Sequence, residues 1–259
     1  MDLLLVCEPD DPVAAGIASI ALGRGRQAIL LNHDQAARLF TIAGGPDNVR
    51  VEPDVPMMLR PRAPPAAPLT SDERFLRGEA WATLWAAAAL ATSPVINRPG
   101  AFGPEGRWSP SGAIVEARAA APPTPELHLA ERRRGAPPDA RPWAIEPSGQ
   151  PARRWLKAGG VRALGRARPL LKDERYERVI VLGDQAWKSS TVDLTPLNLE
   201  ARSIEAARGL ELAFATVIWG VGAGHDAARL ARVDPYPSLE QLWPVWTDVA
   251  PALLARLGC

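Results

Sequence analysis

The chain has 259 residues, 47% of them hydrophobic and 23% charged, which suits one large or two small folded domains and excludes wholesale disorder. Its 30 basic and 29 acidic side chains leave a net charge of +1, so no global field directs it to nucleic acid or an anionic membrane. Only Lys157, Lys172 and Lys188 are lysines, so a mechanism that needs one has three candidates.

Leu3–Cys7 is a short apolar run, ended by the acidic, proline-containing stretch Glu8–Pro12. It lacks the basic flank of a signal peptide, and no run in the chain reaches the ~20 apolar residues of a membrane span. A cytoplasmic protein is expected. The two cysteines, Cys7 and Cys259, do not make a disulfide framework or a zinc site. A helix is predicted over Val13–Leu22, closed by Gly23 and Gly25. Gln27–Leu31 reads as a second strand, Asp34–Phe40 as a short helix and Val49–Val51 as a weak strand. Pro61–Pro68 reads as a Pro/Ala loop. Ser71 or Asp72 is placed to cap a long helix reaching Ala91, and Pro94–Asn97 follows as a buried strand. Short strands between helical patterns predict βαβ units on a parallel sheet.

From Pro104 to Arg153 the periodicity decays, with a helix at Ser111–Ala120, a strand at Glu126–Ala130 and a loop at Ala136–Pro142. Order returns at Arg154–Lys157. Val179–Leu182 reads as a buried strand, turning at Gly183-Asp184 into a hairpin. A helix is predicted over Leu199–Arg208, stopped by Gly209, with strands at Leu212–Ile218 and Leu230–Val233. Leu239–Leu257 is amphipathic, with breaks expected at Pro244 and Pro251.

Three segments hold residue types suited to chemistry. Lys157, on a predicted strand followed by Gly159 and Gly160, suits convergence of an ammonium and backbone N–H groups on phosphate; a plain strand-to-turn reads the same way. The segment Glu174–Trp187, containing Arg178, reads as a hairpin. Arg232-Val233-Asp234-Pro235-Tyr236-Pro237 places a carboxylate at a strand end, suited to a cation or amine or to a tight connection. The remaining candidates are bland. His33, His128 and His225 share no ligand spacing. Trp81 with Trp85, and Trp243 with Trp246, fall on helical faces as packing pairs. Arg132-Arg133-Arg134 lacks the aromatic interleaving of a nucleic-acid site.

Taken in order, several segments resemble the ATP-grasp superfamily, of the ribosomal-protein glutamate ligase and glutathione synthetase type. Val95-Ile96-Asn97-Arg98-Pro99 is similar to the family's "wiNRP", Ala121-Pro122-Pro123-Thr124 to "vPpT" and Leu156-Lys157 to "vvKP". Leu171–Asp184 is similar to "vQeyi…dyRVhVVGd", Gly209–Val217 to "GLdfagvDl" and Arg232–Ser238 to "lEVNpfPs". The resemblance implies an α/β fold, with a Rossmann-like pre-ATP-grasp domain over residues 1–103 and a compressed ATP-grasp-like α+β domain over residues 104–259. It implies ATP and Mg2+ as cofactors and a carboxylate activated as an acyl-phosphate for attack by an amine. Lys157, Gly159, Gly160 and Lys172 then bind nucleotide, Asp234 holds metal, and Arg232 and Arg178 meet phosphate or substrate carboxylate. The departures are specific. Thr216 stands where the family has a carboxylate ligand, Arg232 where it has a glutamate and Asp234 where it has an asparagine. The lid segment between Lys157 and Val179 is short.

Three readings follow. The first is a divergent carboxylate–amine ligase for a small metabolite or cofactor precursor. The second is a degenerate relative without ligase activity, acting as a binding or partner subunit or a homo-oligomer. The third is a small-molecule binder with its site at Glu8, Asp10 and Asn32, beyond the first two strands. None of them requires nucleic acid or membrane.

Overall fold

The computed structural model describes residues 1–45, 49–60, 70–100, 173–190, 197–224 and 227–259, with the backbone of four strands between them, His128–Ala130, Trp143–Pro147, Arg153–Arg154 and Gly165–Pro169. It divides into two compact units, Met1–Gly106 with Tyr236–Cys259, and Arg107–Pro235. The last segment, expected from the sequence in the second domain, thus packs with the first unit.

The first unit contains β1 (Leu3–Cys7), α1 (Pro12–Gly23), β2 (Ala28–Leu31), α2 (His33–Ala37), β3 (Thr41–Gly44), β4 (Val49–Glu52), β5 (Met57–Arg60), α3 (Ser71–Leu90) and β6 (Val95–Ile96). Strands β2-β1-β5-β6 form a parallel sheet in that order. Every residue of β1 is buried, as expected for a central parallel strand covered on both faces. Leu4, Val6, Met57 and Leu59 pack with Leu84, Ala87 and Ala88 of α3, while α1 contacts β1 and β2. Val49–Glu52 is a strand, but it pairs antiparallel with β3 in a separate hairpin. β5 was not expected.

The starts of α1, α2 and α3 carry side-chain caps. Val13 and Ala14 N–H donate to Asp11 Oδ1 at 2.9 and 3.1 Å, and Asn32 and Thr70 close capping boxes with Gln35 and Glu73. At the other end of α3, Arg98 Nη1 donates to the carbonyls of Ala88, Ala89 and Ala91 and Nη2 to that of Ser93, satisfying acceptors that a helix C-terminus leaves open. Arg60, at the end of β5, is 7% exposed; its Nε donates to Asp11 Oδ2 at 2.8 Å and its Nη2 to Pro237 O at 2.9 Å. The chain ends in α5 (Leu239–Leu242), a 3-10 turn (Trp243–Val245) and α6 (Trp246–Arg256). The break falls at Pro244, whereas Pro251 lies inside α6. Trp246 packs on Gly16 of α1 so closely that a Cβ there would lie 2.7 Å from its Cζ2.

The second unit holds two antiparallel sheets. One has the order β7-β10-β8-β9, with β7 (His128–Ala130), β8 (Trp143–Pro147), β9 (Arg153–Arg154) and β10 (Gly165–Pro169). The other is β12-β11-β13-β14, from β11 (Arg175–Leu182), β12 (Gln185–Lys188), β13 (Phe214–Val221) and β14 (Ala228–Asp234). The expected hairpin turns at Gly183-Asp184, Gly183 at φ 60. Helix α4 (Leu199–Gly209) covers one face of this sheet, burying Leu199, Ala207, Val179, Val181, Val217 and Trp219. The Trp219 indole N–H donates to Ser203 Oγ at 2.8 Å, and the Arg202 guanidinium lies 4.3 Å from the ring centroid. Ser111–Ala120, Ala136–Pro142 and Pro61–Pro68 lie outside the described residues.

Candidate functional site

Side chains alternate across a strand, so the face turned away from α4 follows from the one packed on it, and Ile180 and Thr216 on that opposite face are buried as well. Val179, Val181, Ala215, Val217, Trp219 and Val233 belong to the core beneath α4. Arg178, Ile180, Thr216, Ile218, Arg232 and Asp234 therefore share the opposite face. The register sets them in two rows, Ile180–Thr216–Asp234 and Arg178–Ile218–Arg232. The two rows are about 7 Å apart along the strands. Three residues singled out from two sequence segments, Arg178 from one and Arg232 and Asp234 from the other, are thus brought onto one surface with Thr216.

Arg232 Nη2 lies 3.6 Å from Asp234 Oδ2, with side chains 23% and 16% exposed. That separation is too long for a hydrogen bond, so the attraction is one of charge in a partly desolvated setting. Thr216 is fully buried, and its Oγ1 has no hydrogen-bond partner among the described residues. An unsatisfied buried hydroxyl costs about 1–3 kcal/mol, which a ligand oxygen would recover.

The bulge at Ile218/Trp219 adds a residue that the sequence alone does not mark. It shifts the register so that Arg229 faces Gly220, which brings a further arginine to the same face. Glu174 lies over Gly220, its carboxylate filling the space a Cβ there would need. Arg229 is not visible from alternation alone, because the extra residue in β14 inverts the parity of its first half, whereas Glu174 keeps the parity of Arg178 and Ile180. A glycine inside a run of apolar strand residues was the one available signal.

The cofactors implied by the resemblance fit this face unequally. Guanidinium groups and a hydroxyl are donors suited to phosphate oxygens, so the described part of the face suits the anionic end of ATP. Magnesium requires several oxygen ligands in octahedral geometry. Here Asp234 is the only carboxylate of the two rows, its charge is engaged by Arg232, and a guanidinium has no lone pair for a metal. Among the described residues no group of three His, Cys, Asp or Glu side chains is placed to hold a metal ion. These residues do not make a magnesium site.

Lys157, Gly159, Gly160 and Lys172 lie outside the described residues, as does His225. Asp184 is on the surface, paired with Arg208 at 2.9 Å, and Glu211 occupies a turn at φ 60. At the parallel sheet, Asn32 is engaged in the α2 cap, and Asp11 caps α1. His33 stacks on Trp81, which meets Trp85 edge-on. Both cysteines are free, and no described helix is long and apolar enough to cross a membrane.

No family model and no curated protein matches the sequence. Solved structures do match along the whole chain. The ATP-grasp ligase PsnB, complexed with precursor peptide PsnA2 and AMPPNP, superposes with a TM-score of 0.71 at 16% identity, covering 100% of this chain and 99% of that one. The macrocyclase MdnC from Microcystis aeruginosa, bound with precursor peptide MdnA, gives a TM-score of 0.66 at 11% identity, covering 98% of each chain. A RimK domain ATP-grasp protein from Sphaerobacter thermophilus gives 0.59 at 16% identity, covering 100% of both. With both parallel and antiparallel sheets, the chain shares its fold with these ATP-grasp structures.

Proposed function

We propose that the protein is an ATP-grasp-fold binding protein that engages a peptide or protein partner and does not carry out magnesium-dependent ligation. The parallel-sheet unit is its Rossmann-like pre-ATP-grasp domain, and the antiparallel unit is the shortened ATP-grasp-like part. The observation that carries this reading is the Arg232–Asp234 pair, 3.6 Å apart on a face where Thr216 supplies a neutral hydroxyl. An acyl-phosphate step needs charge on the transferring phosphoryl group to be neutralised, and metal ions ordinarily do so. Here the neighbouring guanidinium has taken one ligand position and engages the carboxylate that remains. The peptides bound to PsnB and MdnC favour a peptide over the small metabolite expected from the sequence.

A second reading, an ATP-dependent carboxylate–amine ligase acting on a peptide, is favoured by the full-length likeness to PsnB, an ATP-grasp ligase. In it, Lys157, Lys172, Gly159 and Gly160 bind nucleotide, and Arg178 and Arg232 meet phosphate or the substrate carboxylate. Manganese separates the two. Wild-type protein with AMPPNP should leave the electron paramagnetic spectrum of Mn2+ as it is with AMPPNP alone. The Thr216→Asp/Arg232→Glu double variant, with two oxygen ligands restored, should immobilise the ion. Tight Mn2+ binding by the wild type overturns the binding-protein reading in favour of the ligase.

A further inference from the structure

The Arg232–Asp234 pair has a consequence for ligand binding that is separate from catalysis. A guanidinium held 3.6 Å from a carboxylate, 23% exposed, flanks a row that also carries Arg178 on the far side of Ile218. Adjacent strands are about 4.8 Å apart, so the Cα atoms of Arg178 and Arg232 lie roughly 10 Å from each other. That spacing lets two long side chains approach one phosphate chain from either side. The neighbouring row offers Thr216 Oγ1, buried and without a hydrogen-bond partner among the described residues. Arg229 stands on the same face beyond the bulge. Against these three arginines, the same face carries two carboxylates, Asp234 in the rows and Glu174 over Gly220.

We infer that this face binds the triphosphate of a nucleotide without a metal ion, Arg232 exchanging Asp234 for phosphate oxygen and so standing in for the divalent cation. The inference rests on the same misfit to magnesium as the proposed function, but it concerns affinity alone and requires no turnover. Its direction is set by charge. Free ATP carries two more negative charges than its magnesium complex, and a face whose cations are built in prefers the more anionic form. Asp234 opposes the incoming phosphate both by like charge and by holding Arg232, so it weakens binding here, whereas a metal-ligating carboxylate strengthens it.

Isothermal titration of the full chain with ATP tests this, in EDTA and again in excess Mg2+. Binding is expected in EDTA, weakened at least about threefold by magnesium as the ligand loses charge. Asp234→Asn, which preserves shape, should tighten binding in EDTA about two- to fivefold, the range of one partly exposed charge pair. Arg232→Gln should weaken it, with an unchanged thermal midpoint without ligand showing that the fold is intact. Absence of binding in EDTA, binding only with Mg2+, or loss of affinity in Asp234→Asn each overturns the inference. The Mn2+ experiment fails independently: a wild type that binds neither Mn2+ nor metal-free ATP refutes this inference and leaves the proposed function standing.

Discussion

Replacing Asp11 with alanine should damage the first unit more than replacing Arg60, although both belong to one ion pair. Asp11 has two tasks, receiving the N–H groups of Val13 and Ala14 as the α1 cap and accepting from Arg60 Nε at 2.8 Å. Loss of the cap costs about 1 kcal/mol. Arg60 is then left with its charge in a setting where its side chain is 6% exposed, and stranding a buried charge costs about 3–5 kcal/mol. Asp11→Ala therefore sums to about 4–6 kcal/mol, comparable with the whole stability of a modest domain. In Arg60→Met, Asp11 keeps its two backbone donors at a helix N-terminus, where a negative charge is favoured, and only the bond to Pro237 O goes unreplaced. That change should cost about 2–3 kcal/mol. The double variant loses the cap and the Pro237 bond but strands no charge, so the cycle should return a coupling of about 3 kcal/mol. Urea unfolding followed by tryptophan fluorescence gives the four values. A coupling below about 0.5 kcal/mol, or Arg60→Met costing more than Asp11→Ala, would refute the claim that the stranded Arg60 charge accounts for most of the loss.

Other regions give independent tests. Gly16→Ala should cost about 1–3 kcal/mol by pressing Cβ into Trp246, and Trp246→Phe should recover part of that loss in a thermal melt of the double variant. Ser203→Ala removes the acceptor of the buried Trp219 N–H and should cost about 1–3 kcal/mol in the same melt. Desolvation raises the Asp54 pKa somewhat, but hydrogen bonds from Thr92 and Ser93 outweigh this and hold it at about 2. A depressed carboxyl pKa stabilises above the unfolded value of about 3.9 and loses that contribution as pH falls towards 2. Asp54→Asn should thus lower the melting temperature at pH 6 and converge with wild type near pH 2; a difference that widens on acidification would contradict the sign.

The elements legible in the sequence were those whose local pattern matched their tertiary setting. Leu3–Cys7 is apolar throughout because both its faces are covered, and α1, α3 and α4 begin and end within a residue or two of the positions their caps and glycines mark. β5 is not legible in the sequence because Met57–Arg60 follows directly on Pro56, is only four residues long and has no alternation to mark it. Val49–Val51 reads as a weak strand, but nothing in so short a run distinguishes a parallel partner from a hairpin. The same limit applies to the site. The residue types at 178, 216, 232 and 234 drew notice by likeness to a family pattern. That they share one face depended on the register between β11, β13 and β14, and Arg229 joined them only through a bulge that no periodicity shows.

The most direct measurement is a crystal structure of the protein grown with AMPPNP and Mn2+, with anomalous data collected for manganese. The Arg232 guanidinium is expected within hydrogen-bond distance of the phosphates, with no manganese on Asp234. An anomalous peak at about 2.1–2.6 Å from the Asp234 carboxylate, with Arg232 turned away, would contradict a metal-free arginine site.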